Sequence, residues 1–165
     1  MPNIKYLNSG RDKSKVSPYS EKVLIDLMKS SGIKTITITS TARTALDQAR
    51  IMYTNLERHG ISHQKRLYGV FGDKIIDEYS SLKSKGKSKF EIINGMMLKI
   101  NAIGPRKVSK HAGNPKKLNV IDIAPSSIGL TVRKKFESFV KKEPRVSQFF
   151  TPPKDPAYHL EIPQP

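Results

Sequence analysis

Residues 34–40 read Lys-Thr-Ile-Thr-Ile-Thr-Ser, a stretch in which isoleucine alternates with threonine. Such alternation puts the apolar side chains on one face and predicts a half-buried β-strand. Helices are predicted on both sides of this strand. Ser17-Pro18 is typical of a helix start and Gly32 of a helix end, and a second helical pattern runs from Thr44 to His59.

The rest of the chain continues this mixture of helices and strands. Further helices are predicted over 67–82, 88–100 and 127–141, and further strands over 118–123, 146–150 and 158–162. The mixture predicts an α+β fold, with several helices packed on a small antiparallel sheet. Residues 1–16 are polar and basic and predict an extended lead-in, whereas residues 17–165 suit a single domain.

The composition limits both the chemistry and the partners. The 165 residues include no cysteine, so neither a disulfide framework nor a thiolate metal site is possible. Lysine and arginine total 30 against 14 acidic residues, and the net charge of +16 favours polyanions such as nucleic acid, anionic lipid or cell-wall polymers. No nucleic-acid module signature accompanies the charge, so we expect no stable nucleic-acid partner. We expect a monomer.

The sequence shows neither a signal peptide nor a membrane-spanning stretch. Met1 to Lys5 is not followed by an apolar run of the needed length. No stretch approaches the roughly 20 apolar residues of a membrane span. We therefore expect a product made in the cytoplasm, which reaches any other site without a cleaved signal.

Two histidines and an aspartate form the most informative pattern. His111 lies in a polar, glycine-containing stretch before the strand that carries Asp122, and His159 lies on the last predicted strand. Two imidazoles and one carboxylate make a three-ligand zinc set with an open fourth position, which a metal needs if it is to activate water. The residue types alone leave a second interpretation open, in which both are ordinary core or surface histidines like His59 and His63.

The order of these residues resembles a known zinc-binding pattern. Ser109-x-His111, then Asp122, then a His159 that follows an aromatic residue, resembles the pattern of the D-alanyl-D-alanine carboxypeptidase family. That family includes bacteriophage endolysins that are L-alanyl-D-glutamate or D,D-endopeptidases. The resemblance implies that His111, Asp122 and His159 hold Zn²⁺, and that the fold is like that of the Hedgehog and DD-peptidase proteins.

A second segment adds to the resemblance. Thr39-Ser40-Thr41-Ala42-Arg43, followed by Gln48, is similar to the family's strand segment, whose arginine and glutamine face the cleft. The resemblance implies that Arg43 and Gln48 bind the substrate. It also implies that Arg43 stabilises the negative charge that develops on the scissile carbonyl oxygen. Ser109 is expected to hold a substrate carboxylate or a group behind the ligands.

The spacing of the first two ligands departs from the family pattern. The step from His111 to Asp122 is longer than the family usually has, and it passes through Gly113-Asn114-Pro115. Turns rich in glycine, asparagine and proline accommodate extra residues on a surface. We therefore expect an inserted loop over 113–117 that leaves both ligands in place.

The position of the general base also departs from the pattern. The family commonly has an acidic residue three positions before the last histidine, and here that position is Pro156. We expect Asp155 to be the base, because the proline-rich loop can project it beside the metal. Glu161 is the second choice, because residues two apart on a strand share a face and Glu161 shares one with His159.

Together these features predict a zinc-dependent hydrolase of the cell wall. The expected substrate is an amide bond in the peptidoglycan stem peptide or cross-link, and the expected context is host lysis by a phage, an antimicrobial activity. The basic surface is expected to bind anionic envelope polymers, and the enzyme to act on the wall in the periplasm after release. Two alternatives are a basic nucleic-acid-binding protein and a non-catalytic wall-binding protein that keeps the fold.

Overall fold

The computed structural model describes all residues from 1 to 165. The chain divides into two compact units. One contains Met1–Ala42 and Asn114–Pro165, and the other contains Arg43–Gly113, so the second unit is inserted in the sequence of the first. The sequence predicts a single domain over 17–165, and the structure distributes this range over two units.

The first unit, here the sheet unit, is built around five strands. They are β1 (Asn3–Tyr6), β2 (Thr35–Thr41), β3 (Leu118–Ile123), β4 (Gln148–Phe150) and β5 (Tyr158–Pro163), in the order β1-β2-β3-β5-β4. The β2–β3, β3–β5 and β5–β4 pairs are antiparallel, whereas β1 is parallel to β2. The predicted α+β class is confirmed, and β1 makes the sheet mixed rather than wholly antiparallel.

The N-terminal residues belong to this sheet and are not an extended lead-in. Residues 1–16 contribute β1, a short helix α1 (Ser9–Asp12) and a 3-10 turn at Lys13–Lys15. Asp12 is buried, and its carboxylate accepts hydrogen bonds from Thr41 Oγ1 at 2.8 Å and from Arg11 Nη2 at 2.7 Å. The sequence misses β1 because the strand is short and its pairing partner lies far along the chain, where a local pattern carries no signal.

Two helices pack against the sheet, α2 (Pro18–Ser31) and α8 (Leu130–Lys142). Helix α2 begins and ends as predicted, because the Ser17 hydroxyl accepts a hydrogen bond from the Ser20 amide and Gly32 adopts a left-handed φ of 74°. The apolar side chains of the two helices and of the central strands form one core: Val23, Leu24, Leu27, Met28, Ile36, Ile38, Ile121, Ile123, Phe136, Val140, Tyr158, Leu160 and Ile162. Full burial of each large aliphatic side chain contributes about 1.5–3 kcal/mol.

The alternation of the strands separates this core from a polar face. Ile121 and Ile123 of β3 belong to the core, as do Leu160 and Ile162 of β5. Successive side chains on a strand point to opposite faces. Asp122 and Glu161, which lie between these pairs, therefore project from the face opposite the core.

The second unit, here the helical unit, contains helices only. They are α3 (Ala45–His59), α4 (Ile61–Leu67), α5 (Val70–Ser84), α6 (Lys89–Ile103) and α7 (Pro105–Val108). Thr44 caps α3, and Ser88 with Glu91 forms the predicted capping box of α6, with both hydrogen bonds present. The short helices α4 and α7 were not expected from the sequence.

The helical unit has its own apolar core. It joins α3, α5 and α6 through Ala49, Met52, Leu56, Ile75, Ile76, Tyr79, Ile92, Met96 and Ile100. These residues recur at the three- and four-residue spacing of one helix face, which is the pattern that predicts the helices from sequence. None of the helices in the protein has the length and apolar character needed to cross a membrane.

Candidate metal centre

The pairing of β3 with β5 places Asp122 directly opposite His159. Opposed residues on neighbouring strands have side chains on the same face, close enough to touch. Asp122 Oδ1 lies 2.9 Å from His159 Nδ1. Both residues are buried, His159 completely. The register of a single strand pair therefore fixes the distance between these two side chains.

Glu161 approaches the same imidazole from its other side. It lies two residues after His159 on β5, and its Oε1 is 3.2 Å from His159 Nε2. The Phe150 ring, on the paired position of β4, stacks on the imidazole with ring centroids 5.4 Å apart and an interplanar angle of 24°. His159 is thus held in one orientation, with a carboxylate at each ring nitrogen.

This arrangement fits an imidazole that binds a cation. A neutral imidazole has one N–H and one lone pair. If Nε2–H donates to Glu161, the lone pair of Nδ1 faces the Asp122 carboxylate, and two electron-rich atoms 2.9 Å apart suit a positive ion that both contact. Histidine ligands of metals commonly donate their second N–H to a carboxylate in this way, which fixes the tautomer.

His111 completes the group. The Arg43 amide donates to the His111 carbonyl, and the Gly113 amide donates to the Arg43 carbonyl at 3.1 Å, so the backbone around His111 is fixed. The residue is half-buried, and its Nδ1 is shielded from solvent. One ligand atom each from His111, Asp122 and His159 lies within 4.8 Å of the other two. The three residues predicted as ligands therefore come together as a group that can hold a metal ion.

The long step between His111 and Asp122 is taken up by a turn. Asn114 Oδ1 accepts a hydrogen bond from the Lys116 amide at 2.9 Å, and the Asn114 carbonyl accepts from the Lys117 amide at 3.0 Å. Asn119 Nδ2 donates to the Pro115 carbonyl at 2.7 Å and ties the turn to β3. The extra residues thus fold on themselves, as expected of an asparagine-led turn.

The Ser109 side chain contacts the backbone of the candidate ligand His111. Its hydroxyl accepts a hydrogen bond from the His111 amide at 3.2 Å. Serine often forms such local turns with an amide two residues later. This contact places the Ser109 hydroxyl against the backbone of His111. The predicted role of Ser109 in substrate binding stays a prediction.

Asp155 lies in the loop before β5 and outside the three-residue group. The residue is buried, its Oδ1 accepts a hydrogen bond from the Ala157 amide at 3.1 Å, and its own amide donates to the Thr151 carbonyl at 3.2 Å. These bonds fold residues 151–157 into a compact turn. Asp155 as general base stays a prediction.

Arg43 and Gln48 are brought together, and a third residue joins them. Arg43 Nη1 donates to Gln48 Oε1 at 3.4 Å, and Gln48 Nε2 donates to Tyr68 Oη at 3.3 Å. Gln48 is buried. Burial raises the pKa of the Tyr68 phenol, an effect that the nearby Arg43 charge and the Gln48 hydrogen bond partly oppose. The phenol therefore stays protonated and available as a hydrogen-bonding group.

The sequence patterns do not single out Tyr68, although Gly72 carries a signal for it. A Cβ atom added to Gly72 would lie 2.5 Å from Tyr68 Cβ, so only glycine fits at that position. The sequence signal of such a close approach is a glycine in the first turn of a helix, four residues after an aromatic residue.

These features define an α+β protein with a buried group of two histidines and an aspartate that can hold a metal ion. Comparison with protein-family models, with curated proteins and with solved structures finds no match to this chain. The resemblance to the carboxypeptidase family therefore rests on the quoted residues of the chain alone.

Proposed function

We propose that this protein is a zinc-dependent peptidase that hydrolyses an amide bond of peptidoglycan, in the stem peptide or the cross-link, and that it lyses the host of a bacteriophage. The observation that carries the proposal is the convergence of His111, Asp122 and His159. Two imidazoles and one carboxylate are the ligand set of catalytic zinc sites, which keep a further position for water or substrate. Without cysteine in the chain, zinc is favoured over softer metals that need thiolates.

The chemistry divides between the metal and the residues of the chain. A zinc ion in such a site supplies Lewis acidity, which polarises a carbonyl group and lowers the pKa of water. Asp155 is the proposed proton acceptor and donor, since it is a buried carboxylate close in sequence to His159. The contact of Glu161 with His159 Nε2 favours a different task for Glu161, that of orienting the ligand.

Arg43 is the proposed substrate-binding cation. Its guanidinium is held by Gln48, which Tyr68 in turn holds, so the side chain is restrained before substrate arrives. A restrained positive group stabilises developing negative charge without the cost of reorganising at the moment of reaction. The net charge of +16 supports attraction to the anionic polymers of a bacterial envelope.

Turbidity loss of permeabilised Gram-negative cells tests this proposal. The purified protein is expected to lyse the cells, to lose that activity with a zinc chelator and to regain it when zinc is restored. Mass spectrometry of the released muropeptides then identifies the bond. The His111→Ala variant should lose lysis, while His63→Ala, which changes a half-buried histidine of the helical unit, should keep it. Full lysis by His111→Ala, or in the presence of chelator, contradicts the proposal.

The charge also favours a second candidate function, binding of nucleic acid. Such binding needs no metal, and its affinity falls steeply with salt as phosphate counterions are released. Titration of duplex and single-stranded DNA between low and physiological salt distinguishes the candidates. Metal-independent DNA binding without lysis favours this second function, and zinc binding without hydrolysis of the wall favours a non-catalytic wall-binding protein.

A further inference from the structure

A short apolar turn in the helical unit exposes side chains that proteins usually bury. The turn joins α4 to α5 and reads Leu67-Tyr68-Gly69-Val70-Phe71. Leu67 is 67% exposed, Val70 71% and Phe71 40%. Single exposed apolar residues are ordinary, but three within five consecutive residues form a local patch of the kind that marks an interaction site.

Hydrogen bonds and packing fix the backbone conformation of this turn. The Tyr68 amide donates to the Gln64 carbonyl at 3.1 Å, and the Asp73 amide donates to the Gly69 carbonyl at 2.9 Å. The Tyr68 ring packs close against Gly72 and its hydroxyl accepts from Gln48. Because Tyr68 is anchored inward, its neighbours Leu67 and Val70 are presented to solvent.

Basic side chains border the apolar turn. Lys74 Nζ and Lys107 Nζ each lie 5.6 Å from the centroid of the Phe71 ring. Arg66 is exposed next to Leu67. The acids closest in sequence on α5 are Asp73, which is half-buried, and Asp77, whose ion pair with Lys65 at 2.7 Å offsets its charge. The patch is thus apolar at its centre and cationic at its border.

We infer that this apolar turn docks on the surface of an anionic lipid bilayer. Leu67 and Val70 enter the boundary between headgroups and acyl chains, while Arg66, Lys74 and Lys107 contact lipid phosphates. Apolar residues with basic neighbours bind membrane surfaces by adding burial of apolar area to attraction by anionic lipids. Nucleic acid matches the charge but offers no place for Leu67 and Val70. The inference does not depend on the proposed peptidase activity.

A tryptophan placed in the turn tests the inference directly. The chain contains no tryptophan, so the Val70→Trp variant carries a single reporter. Its emission is expected to shift to the blue on addition of phosphatidylglycerol vesicles, to be quenched by brominated lipids, and to change little with phosphatidylcholine vesicles. The matched control is Leu130→Trp, which replaces an apolar residue of α8 that is 77% exposed. Absence of a blue shift in Val70→Trp, or an equal shift in both variants, overturns the inference.

Flotation with the same vesicles separates the contribution of the apolar side chains to membrane binding from that of the basic side chains. For the Leu67→Ser/Val70→Ser variant, the lipid concentration that binds half the protein should rise about tenfold or more, since two apolar side chains no longer enter the bilayer. Lys74→Gln/Lys107→Gln should lose the preference for anionic lipid. Leu98→Ser, an exposed control on α6, should bind like the parent chain. Circular dichroism confirms folding of each variant.

Two further experiments distinguish a membrane from a second copy of the chain at the apolar turn, and the membrane inference from the peptidase proposal. If the turn covers a second copy of the chain, sedimentation without lipid shows a dimer that Leu67→Ser/Val70→Ser abolishes, and the membrane inference fails. His111→Ala should bind vesicles normally, because the vesicles contain no peptidoglycan. Loss of vesicle binding in His111→Ala would overturn the inference, whereas loss of lysis alone in that variant supports the peptidase.

Discussion

The sheet unit and the helical unit fix their polar side chains by different means. In the sheet unit, Asp122 faces His159 because strand register pairs these positions, and Glu161 follows on the same face. In the helical unit, side-chain hydrogen bonds of 3.3–3.4 Å join Arg43 to Gln48 and Gln48 to Tyr68. The first arrangement is set by the backbone ladder, and the second by the packing of side chains.

The difference suits two kinds of task. Ligands of a metal ion must stay within about half an ångström of their working positions, and side chains on strands meet that demand better than side chains on loops. The Arg43–Gln48–Tyr68 hydrogen bonds instead restrain the proposed substrate-binding cation. We therefore expect substitutions of Asp122, His159 and Glu161 in the sheet unit to act on metal binding, and substitutions of Gln48 and Tyr68 in the helical unit, which also carries the ligand His111, to act on substrate turnover.

Removal of a metal ligand on a strand should have the largest effect on zinc affinity and on lysis. Asp122→Ala is expected to lower zinc affinity by more than the roughly 10–100-fold that loss of a residue behind a ligand costs, and to abolish lysis. Isothermal titration with zinc and metal analysis of the purified protein measure this. Asp77→Ala, which removes a mostly exposed aspartate of the helical unit, is the control. Zinc bound by Asp122→Ala as tightly as by the parent chain would exclude the site.

Glu161 tests whether the carboxylate behind His159 orients the ligand. Glu161→Ala should weaken zinc binding by about 10–100-fold, because His159 Nε2–H loses its acceptor. Glu161→Gln keeps an oxygen that accepts this bond and should recover much of the affinity. A general base would behave differently, since Glu161→Gln would then lose activity while zinc affinity stayed unchanged.

Tyr68 tests the helical unit by the smallest available change. Tyr68→Phe removes the hydroxyl that accepts from Gln48, and a buried amide left without its acceptor costs about 1–3 kcal/mol of unfolding free energy. Peptidase activity is expected to fall several-fold while zinc affinity stays constant, because Arg43 loses its restraint. Tyr53→Phe, at another half-buried tyrosine of this unit, is the control. A parallel loss of zinc affinity in Tyr68→Phe would remove the distinction between the two units.

The sequence predicts most of the elements because their signals are local. The alternation over 34–40 and the Ser88–Glu91 capping box each identify an element from adjacent residues, and the structure contains both. The strand β1 and its parallel pairing depend on contacts far apart in the chain, so no local pattern reveals them. The contact of Glu161 with His159 follows from strand spacing, whereas the link from Gln48 runs from α3 to Tyr68 in the turn after α4 and could not be read from periodicity.

Tyr158 makes the stability of the sheet unit depend on pH in the alkaline range. Burial, assisted by a hydrogen bond from its hydroxyl to Glu137 at 2.8 Å, raises its pKa to about 12. Because the folded pKa lies above the value of about 10 for an unfolded tyrosine, the resulting stability is fully present below pH 10. It is lost as the pH rises from about 10 to about 12. Denaturant unfolding across this range should show stability falling with pH, and falling less steeply in Tyr158→Phe. Equal slopes in the two proteins would mean that other groups, such as Tyr79, whose pKa burial also raises, account for the dependence.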